Sequence, residues 1–195
     1  MRTVETNEEK VEKILGNKEQ SIKHQMTRYL PNQVDNEATC GNGITIHPYS
    51  IVVEGVRLGD NVTIWSHCNV FGDTVIGNNV TIGSHTEIAG AKIGDNVTIG
   101  HGCYLPEGVV IHDNVWIAPF VHITNDKYPP AKKNEWLPDV TIIESGAVIG
   151  MDTTIVGGVT IGRGAFIGAK SLINKDVTQE MKLYGIPAKE RGYAK

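Results

Sequence analysis

Cysteine is scarce: three residues in 195, with no Cys-x-x-Cys pair. That excludes a disulfide framework and a cysteine-rich zinc site, and it points to a cytoplasmic location. Aromatic residues make up only 6% of the chain, so any core must be aliphatic. There is no excess of positive charge. Lys plus Arg is 18 against 22 Asp plus Glu, a net charge of -4. A nucleic-acid binder carries a basic face and a membrane-surface protein a polybasic patch; neither is present, so no nucleic-acid or membrane partner is expected. No apolar run approaches the ~20 residues of a membrane span. The first residues, MRTVETNEEKVEK, are charged where a secretory signal would be apolar.

What the chain has is glycine, 22 residues, and a repeat. An aliphatic residue falls at every sixth position at Ile46, Val52, Leu58, Ile64, Val70, Ile76, Ile82 and Ile88. The frame slips by one and resumes at Ile93, Ile99, Leu105, Ile111, Ile117 and Ile123, then again from Ile143 through Ile149, Ile155, Ile161 and Ile167 to Ile173. Eight hits in one frame would arise by chance on the order of once in 65,000, which settles the pattern. Four residues after each aliphatic stands a small or β-branched residue, such as Val56, Val62, Cys68, Thr74 and Val80. Gly often follows the aliphatic, and Asp-Asn or Asn-Asn pairs recur at 60–61, 78–79, 95–96 and 113–114. Gly and Asn tolerate tight corners.

A period of six is not helical, since a helix stripe repeats at 3.6. It suits short straight sides, each giving two inward residues, with three sides to a turn of 18. Residues i and i+18 then stack in parallel strands about 4.8 Å apart. The reading is an all-β solenoid, a parallel β-helix in which each coil touches only its neighbours. Residues 1–40 lack the repeat. Val11, Ile14, Leu15, Ile22, Met26 and Tyr29 there are spaced as in one or two amphipathic helices, a helical cap for the first coil. Residues 41–176 form the β-helix, and the tail 177–195 loses the period and is expected to fold back as a second cap. Ile143 stands 20 positions after Ile123, two more than a coil, and the residues between form the third irregularity. They are polar and Pro-rich, a protruding loop over 124–142, where function usually sits on a rigid scaffold.

The repeat resembles the hexapeptide-repeat acyltransferases, over about residues 44–192. The local matches are Ile123-Thr124-Asn125-Asp126-Lys127-Tyr128-Pro129, Gly158-Val159-Thr160-Ile161-Gly162, Asn174-Lys175-Asp176-Val177 and Gly185-Ile186-Pro187-Ala188-Lys189. Together they are similar to the subgroup that acetylates the amine of nucleotide-linked 3-amino sugars, whose Phe-Thr-Asn motif opens the active-site loop. Ile123 stands in place of that Phe, and Pro130 in place of the Arg that usually follows. Ile64-Trp65-Ser66-His67 corresponds to the subgroup's Ile-Trp-His, with the His displaced by one.

The resemblance implies a left-handed winding and a homotrimer with clefts between neighbouring β-helices. It also implies acetyl-CoA as cosubstrate, with no metal, and a nucleotide-linked amino sugar as acceptor, the product feeding glycan or lipopolysaccharide synthesis. Asn125 aligns with the Asn that positions the sugar amine. Thr124, Asp126, Tyr128, Glu135 and Trp136 are the candidates for holding the sugar or its base. Gly150, Gly168 and Ala169 are candidates for letting the pantetheine arm approach a corner closely, and Lys175, Lys189 and Arg191 for holding CoA phosphates. His67 and His85 are 18 apart, in one slot a coil apart, with His101 and His47 on the same side. A histidine column could supply a general base; His101, nearest the loop along the axis, is the candidate, ahead of His112 and His122. The CoA sulfur can also take the proton.

Three rival readings remain. An O-acetyltransferase acting on serine or a sugar hydroxyl needs a stronger base. A metal enzyme like the γ-class carbonic anhydrases would have two His two coils apart and a third five residues on. Here His67 and His101 are 34 apart and no His pair is spaced by five. A purely structural solenoid would need no interrupting loop.

Overall fold

In the computed structural model the described residues are 33–34, 38–53, 55–128 and 137–194. Their regular structure is all strand, and the chain winds as a left-handed parallel β-helix of about eight turns. Three sheets form the faces of a triangular prism. The first face runs from Gln33–Val34 through Ile51–Val52, Asn69–Phe71, Glu87–Ala89, Tyr104–Leu105, His122–Ile123 and Thr154–Ile155 to Leu172–Ile173. The second runs from Thr39–Cys40 to Thr160–Ile161, and the third from Thr45–Ile46 to Phe166–Ile167. On the third face Met181–Tyr184 adds one more parallel strand, and Lys189–Tyr193 returns antiparallel beside it.

The ladders begin earlier than residue 41. Gln33 pairs with Ile51, and Thr39 with Arg57, so the end of the stretch expected to be helical is strand. The helices expected over Val11–Tyr29 lie outside the described residues.

Each side contributes two inward residues, and they fill the prism. The six-spaced Ile, Val and Leu side chains and the smaller residues two before them are buried without exception, from Ile44 to Val177. The register shows how the frame slips are absorbed. Ile64 pairs with Ile82, but Ile82 pairs with Ile99, one residue short of a full coil. The shortening sits at Gly90, which takes φ 68° at the edge between the first and second faces. Further on, Ile111 pairs with Ile143, 32 residues ahead. Ile123 and Ile143 are therefore successive aliphatics of the repeat, on adjacent faces. The loop is a fourteen-residue insertion at that same edge, not a coil with two residues added, and its last two residues, Thr141 and Ile142, are strand.

The edges turn on left-handed residues. Asn61, Asn79, Asn96 and Asn114 all have φ between 56° and 59°, a region that Asn tolerates and most side chains do not. They stack as an amide ladder, Asn61 Nδ2 donating to Asn79 Oδ1 and Asn79 Nδ2 to Asn96 Oδ1, each at 3.1 Å. Beside them Asn78, Asp95 and Asp113 each accept the backbone N–H of the preceding coil, from Asp60, Asn78 and Asp95. The recurrent Asp-Asn pairs thus satisfy backbone donors that would otherwise be orphaned at a corner.

Two of the cysteines are core residues. Cys68 Sγ donates to Gly83 O at 3.2 Å and Cys103 Sγ to Ala118 O at 3.4 Å. Burial raises both thiols, and Cys103 is pushed up to about 11. The folded chain therefore holds this proton more tightly than the unfolded one. Its stability contribution is complete below the ordinary thiol value of 9.0 and is lost as the pH rises toward 11. Urea titrations at pH 8 and 10.5 should show stability falling with pH, and falling less in Cys103→Ala. In the same assay Ile82→Ala should cost about 2–5 kcal/mol and Thr81→Ala, whose side chain points outward, under about 0.5 kcal/mol.

Candidate functional site

The inserted loop is seated by its neighbours above and below. Thr124 Oγ1 accepts the N–H of Gly157 at 2.9 Å. A Cβ on Gly157 would lie 2.7 Å from Thr124 O, so only glycine lets the loop root rest on the next coil. At the other end of the loop, Asp139 N–H donates to Asn125 O at 3.0 Å, and Asp139 Oδ2 accepts the N–H of Lys127 at 2.9 Å. Asp139 thus closes the loop at its base. Gly108, on the coil below, makes room for Pro138, which a Cβ there would approach to 2.9 Å. These bonds fix the backbone of Thr124–Lys127 and leave the half-buried Asn125 and Asp126 at the edge. Tyr128 is 84% exposed, with Lys127 Nζ 5.9 Å from its ring centroid. Glu135 and Trp136 lie outside the described residues.

The second cluster lies on another edge, between the third and first faces. There each coil turns through three successive columns. One holds His47, Trp65, Gly83, Gly100, Ala118, Gly150 and Gly168; the next holds Ser84, His101, Pro119 and Ala169; the third takes φ near 60° at Tyr49, His67, His85, Phe120 and Lys170. The expected histidine column is real. His67 and His85 stack with centroids 4.8 Å apart, and Tyr49 stacks on His67 at 4.9 Å. His101 lies one column over, and its Nδ1 accepts the N–H of Ser84 at 3.0 Å. In the neutral ring that bond puts the proton on Nε2, so His101 presents a donor at Nε2.

Gly150 and Gly168 stand on the same edge, three and four coils beyond Gly83. A Cβ on Gly150 would come within 2.5 Å of Ala169 N, and one on Gly168 within 2.8 Å of Tyr184 Cβ. Close stacking of the coils demands glycine there irrespective of any ligand. The outcome is still a strip that carries no side chain but the Ala118 methyl, with Met151 and Ala169 exposed beside it. Lys189 and Arg191 are on the last strand of the third face, Arg191 Cζ lying 5.1 Å from the Tyr184 ring. Lys175 is exposed on the loop's edge instead, a face away from the other two.

The predicted residues thus fall into two groups. Thr124, Asn125, Asp126 and Tyr128 share the loop edge with Lys175. His101, Gly150, Gly168 and Ala169 share the other edge and lead toward Lys189 and Arg191. Within one chain the two groups are separated by the width of the first face. His122 is on that face and His112 on the third edge. Gly157, Gly108 and Asp139 carry the loop and were not singled out from sequence; Asp139, after Pro138 at the insertion's end, was the available signal. Among the described residues no group of three or more His, Cys, Asp or Glu is placed to hold a metal ion.

The sequence model of the bacterial transferase hexapeptide family (six repeats) matches residues 73–107 and 141–175, on either side of the loop. Those two stretches of the chain carry the hexapeptide repeat that the family model describes. It is 42% identical over 62 residues to the bifunctional protein GlmU of Rubrobacter xylanophilus, covering 32% of this chain and 12% of that one. It is also 42% identical over 53 residues to a dTDP-3-amino-3,6-dideoxy-α-D-galactopyranose 3-N-acetyltransferase of Aneurinibacillus thermoaerophilus, covering 27% of this chain and 28% of that one. The matched stretches are therefore a minor part of both relatives. The UDP-N-acetylglucosamine acyltransferase of Campylobacter jejuni superposes with a TM-score of 0.65 over 87% of this hexapeptide-repeat chain and 75% of its own, at 18% identity, a likeness of fold. The serine acetyltransferase of Neisseria gonorrhoeae is 27% identical with a TM-score of 0.50, covering 55% of this chain and 41% of that one.

If Asp139 holds the loop root, Asp139→Ala should raise the rate of proteolytic cleavage within 124–140 at least about tenfold, with Tm lowered by no more than a few degrees. Limited proteolysis followed by mass spectrometry would read it.

Proposed function

We propose that this hexapeptide-repeat protein transfers an acetyl group from acetyl-CoA to the amine of a nucleotide-linked amino sugar. The observation that carries the reading is the insertion after Ile123, which brings Thr124, Asn125 and Asp126 to one edge of the prism on a backbone fixed by Gly157 and Asp139. The partial identity with an amino-sugar N-acetyltransferase supports the same acceptor class.

The division into two groups supports an assembly. The loop edge and the glycine-lined edge bound the same face. In a three-fold homo-oligomer with the first faces turned to the axis, the loop edge of one copy meets the glycine-lined edge of the next. Each site then takes its acceptor residues from one subunit and its donor lane from another. The lane from His101 to Ala169 spans three coils, about 14 Å, enough for an extended pantetheine arm, with Lys189 and Arg191 beyond it for the CoA phosphates.

In that site the Asn125 amide oxygen accepts a hydrogen bond from the sugar amine and aims its lone pair at the thioester carbonyl. The C–N bond forms as the carbonyl oxygen takes negative charge. His101 Nε2–H is a donor for that oxygen. The C–S bond then breaks, and the proton lost by the nitrogen passes to the departing sulfur, giving an amide and the free thiol of CoA. An amine already neutral needs no protein base. A hydroxyl does, and the occupied Nδ1 of His101 makes the O-acetyl reading the weaker one.

Thiol release from acetyl-CoA across a panel of nucleotide-linked 3- and 4-amino sugars tests the reading. Asn125→Ala should lower kcat/KM about a hundredfold, and His101→Ala about tenfold, the order of one hydrogen bond. Full turnover in Asn125→Ala would remove the acceptor assignment. The shared site has its own test. Ala169→Trp, at an exposed corner, should block the donor lane. Inactive Ala169→Trp and inactive Asn125→Ala subunits, dissociated and reassembled in equal amounts, should regain about a quarter of wild-type activity, since one interface in four pairs two intact halves. No recovery would place the whole site in one chain.

A further inference from the structure

One aromatic stack on the glycine-lined edge stops short. Trp65 lies flat on His47, centroids 4.3 Å apart and planes 7° from parallel. In the same column the next two coils carry Gly83 and Gly100. Neither can bear a side chain, because a Cβ on Gly83 would fall 2.6 Å from Gly100 C and one on Gly100 2.3 Å from Pro119 N. The same Trp65 lines a cleft of about 230 Å³ over these glycines. Thr81 and Thr98 form its second column, Trp116 closes its far end, and His101 and Pro119 form its side wall.

We propose that this cleft binds the nucleobase of the acceptor nucleotide, stacked on the face of Trp65 turned away from His47. The inference rests on the proposed function and extends it to residues that neither the repeat nor the loop accounts for. Several observations select a nucleobase. The stack is of flat rings at coil spacing, and a heteroaromatic ring continues it where a puckered sugar ring does not. The cleft carries no Lys, Arg, Asp or Glu, so it suits neither phosphate nor the dense hydrogen bonding that sugar hydroxyls demand. Its side-chain hydroxyls, on Thr81 and Thr98, suit the carbonyl and N–H groups on the edge of a base. Two coils are about 10 Å tall, room for one base with its ribose at the opening. The adenine of CoA is the other possible source of such a ring. The cationic end of the third face, where CoA phosphates are expected, is four coils beyond Thr98, about 19 Å, which assigns the cleft to the acceptor.

The test uses the full-length protein and tryptophan fluorescence titrated with UDP, dTDP, ADP and CoA, with calorimetry for Kd. A pyrimidine nucleoside diphosphate should bind the wild type and quench its fluorescence. Trp65→Ala should weaken that binding about tenfold or more and leave CoA binding within twofold. Trp65→Phe, which keeps a ring, should restore most of the affinity while losing most of the quench; a change due only to misfolding would not be rescued in this way. Three results overturn the proposal: no nucleoside diphosphate binds, Trp65→Ala binds one as tightly as the wild type, or CoA is the ligand that Trp65→Ala loses. The reaction itself is read separately by thiol release. If Trp65 governs nucleotide binding and no amino sugar is acylated, the cleft stands and the proposed reaction falls. If acylation proceeds and Trp65→Ala binds nucleotide normally, the reverse holds.

Discussion

The distance between stacked coils governs this molecule. Between the stacked strands of the described faces, backbone N–H and C=O groups bond from coil to coil, so the coils cannot separate to admit a bulky group. Side chains at a given slot must therefore fit the same slot one coil away. Aliphatic residues meet this inside, Asn and Asp at the turning corners, and glycine where one coil's backbone presses on the next. Gly83, Gly100 and Gly150 are all forced by that contact. The strip they create, interrupted by the Ala118 methyl, follows from packing, and it is the surface that a ligand can approach closely.

The same constraint places function at the edges. The faces are too regular to hold a cluster of chemical groups, since their outward residues repeat at fixed intervals. An edge can carry extra chain at no cost to the ladders, because the coil closes again on the next face. The loop after Ile123 does this, and Ile143 returns to the register it would have had without the insertion. Asn125 and His101 then lie on different edges because they leave different faces, and in the proposed site a second subunit brings them together.

Much of this was legible in the sequence. The six-residue aliphatic spacing gave the strand positions, the two inward residues per side and the three-sided coil, since a core of this shape accepts no other period. The Asp-Asn pairs gave corners. The size of the insertion was misjudged, because spacing alone does not say whether 20 residues are a coil and a little more or one corner greatly enlarged; the pairing of Ile111 with Ile143 decides it. The strands at Gln33–Val34 and Thr39–Cys40 escaped notice because a coil at the end of a solenoid has one neighbour and a relaxed pattern. The shared edge of Thr124, Asn125 and Asp126 and the stacking of His67 on His85 were readable. The seat formed by Gly108, Gly157 and Asp139 was not, because its contacts cross the insertion or join different coils, as from Lys127 to Asp139 and from Thr124 to Gly157. Nor was the cleft beside Trp65, whose outline depends on what the columns above it lack.

Both departures from the regular stride, the residue lost at Gly90 and the fourteen gained after Ile123, fall on the edge between the first and second faces. The other two edges keep their count from coil to coil and run as straight rails. A neighbouring molecule docking along a rail would meet the same contour whatever the loop's length, so in the proposed site exchanging the loop alone would rewrite the preference for the acceptor's sugar, with nucleobase cleft, donor lane and docking contour left untouched.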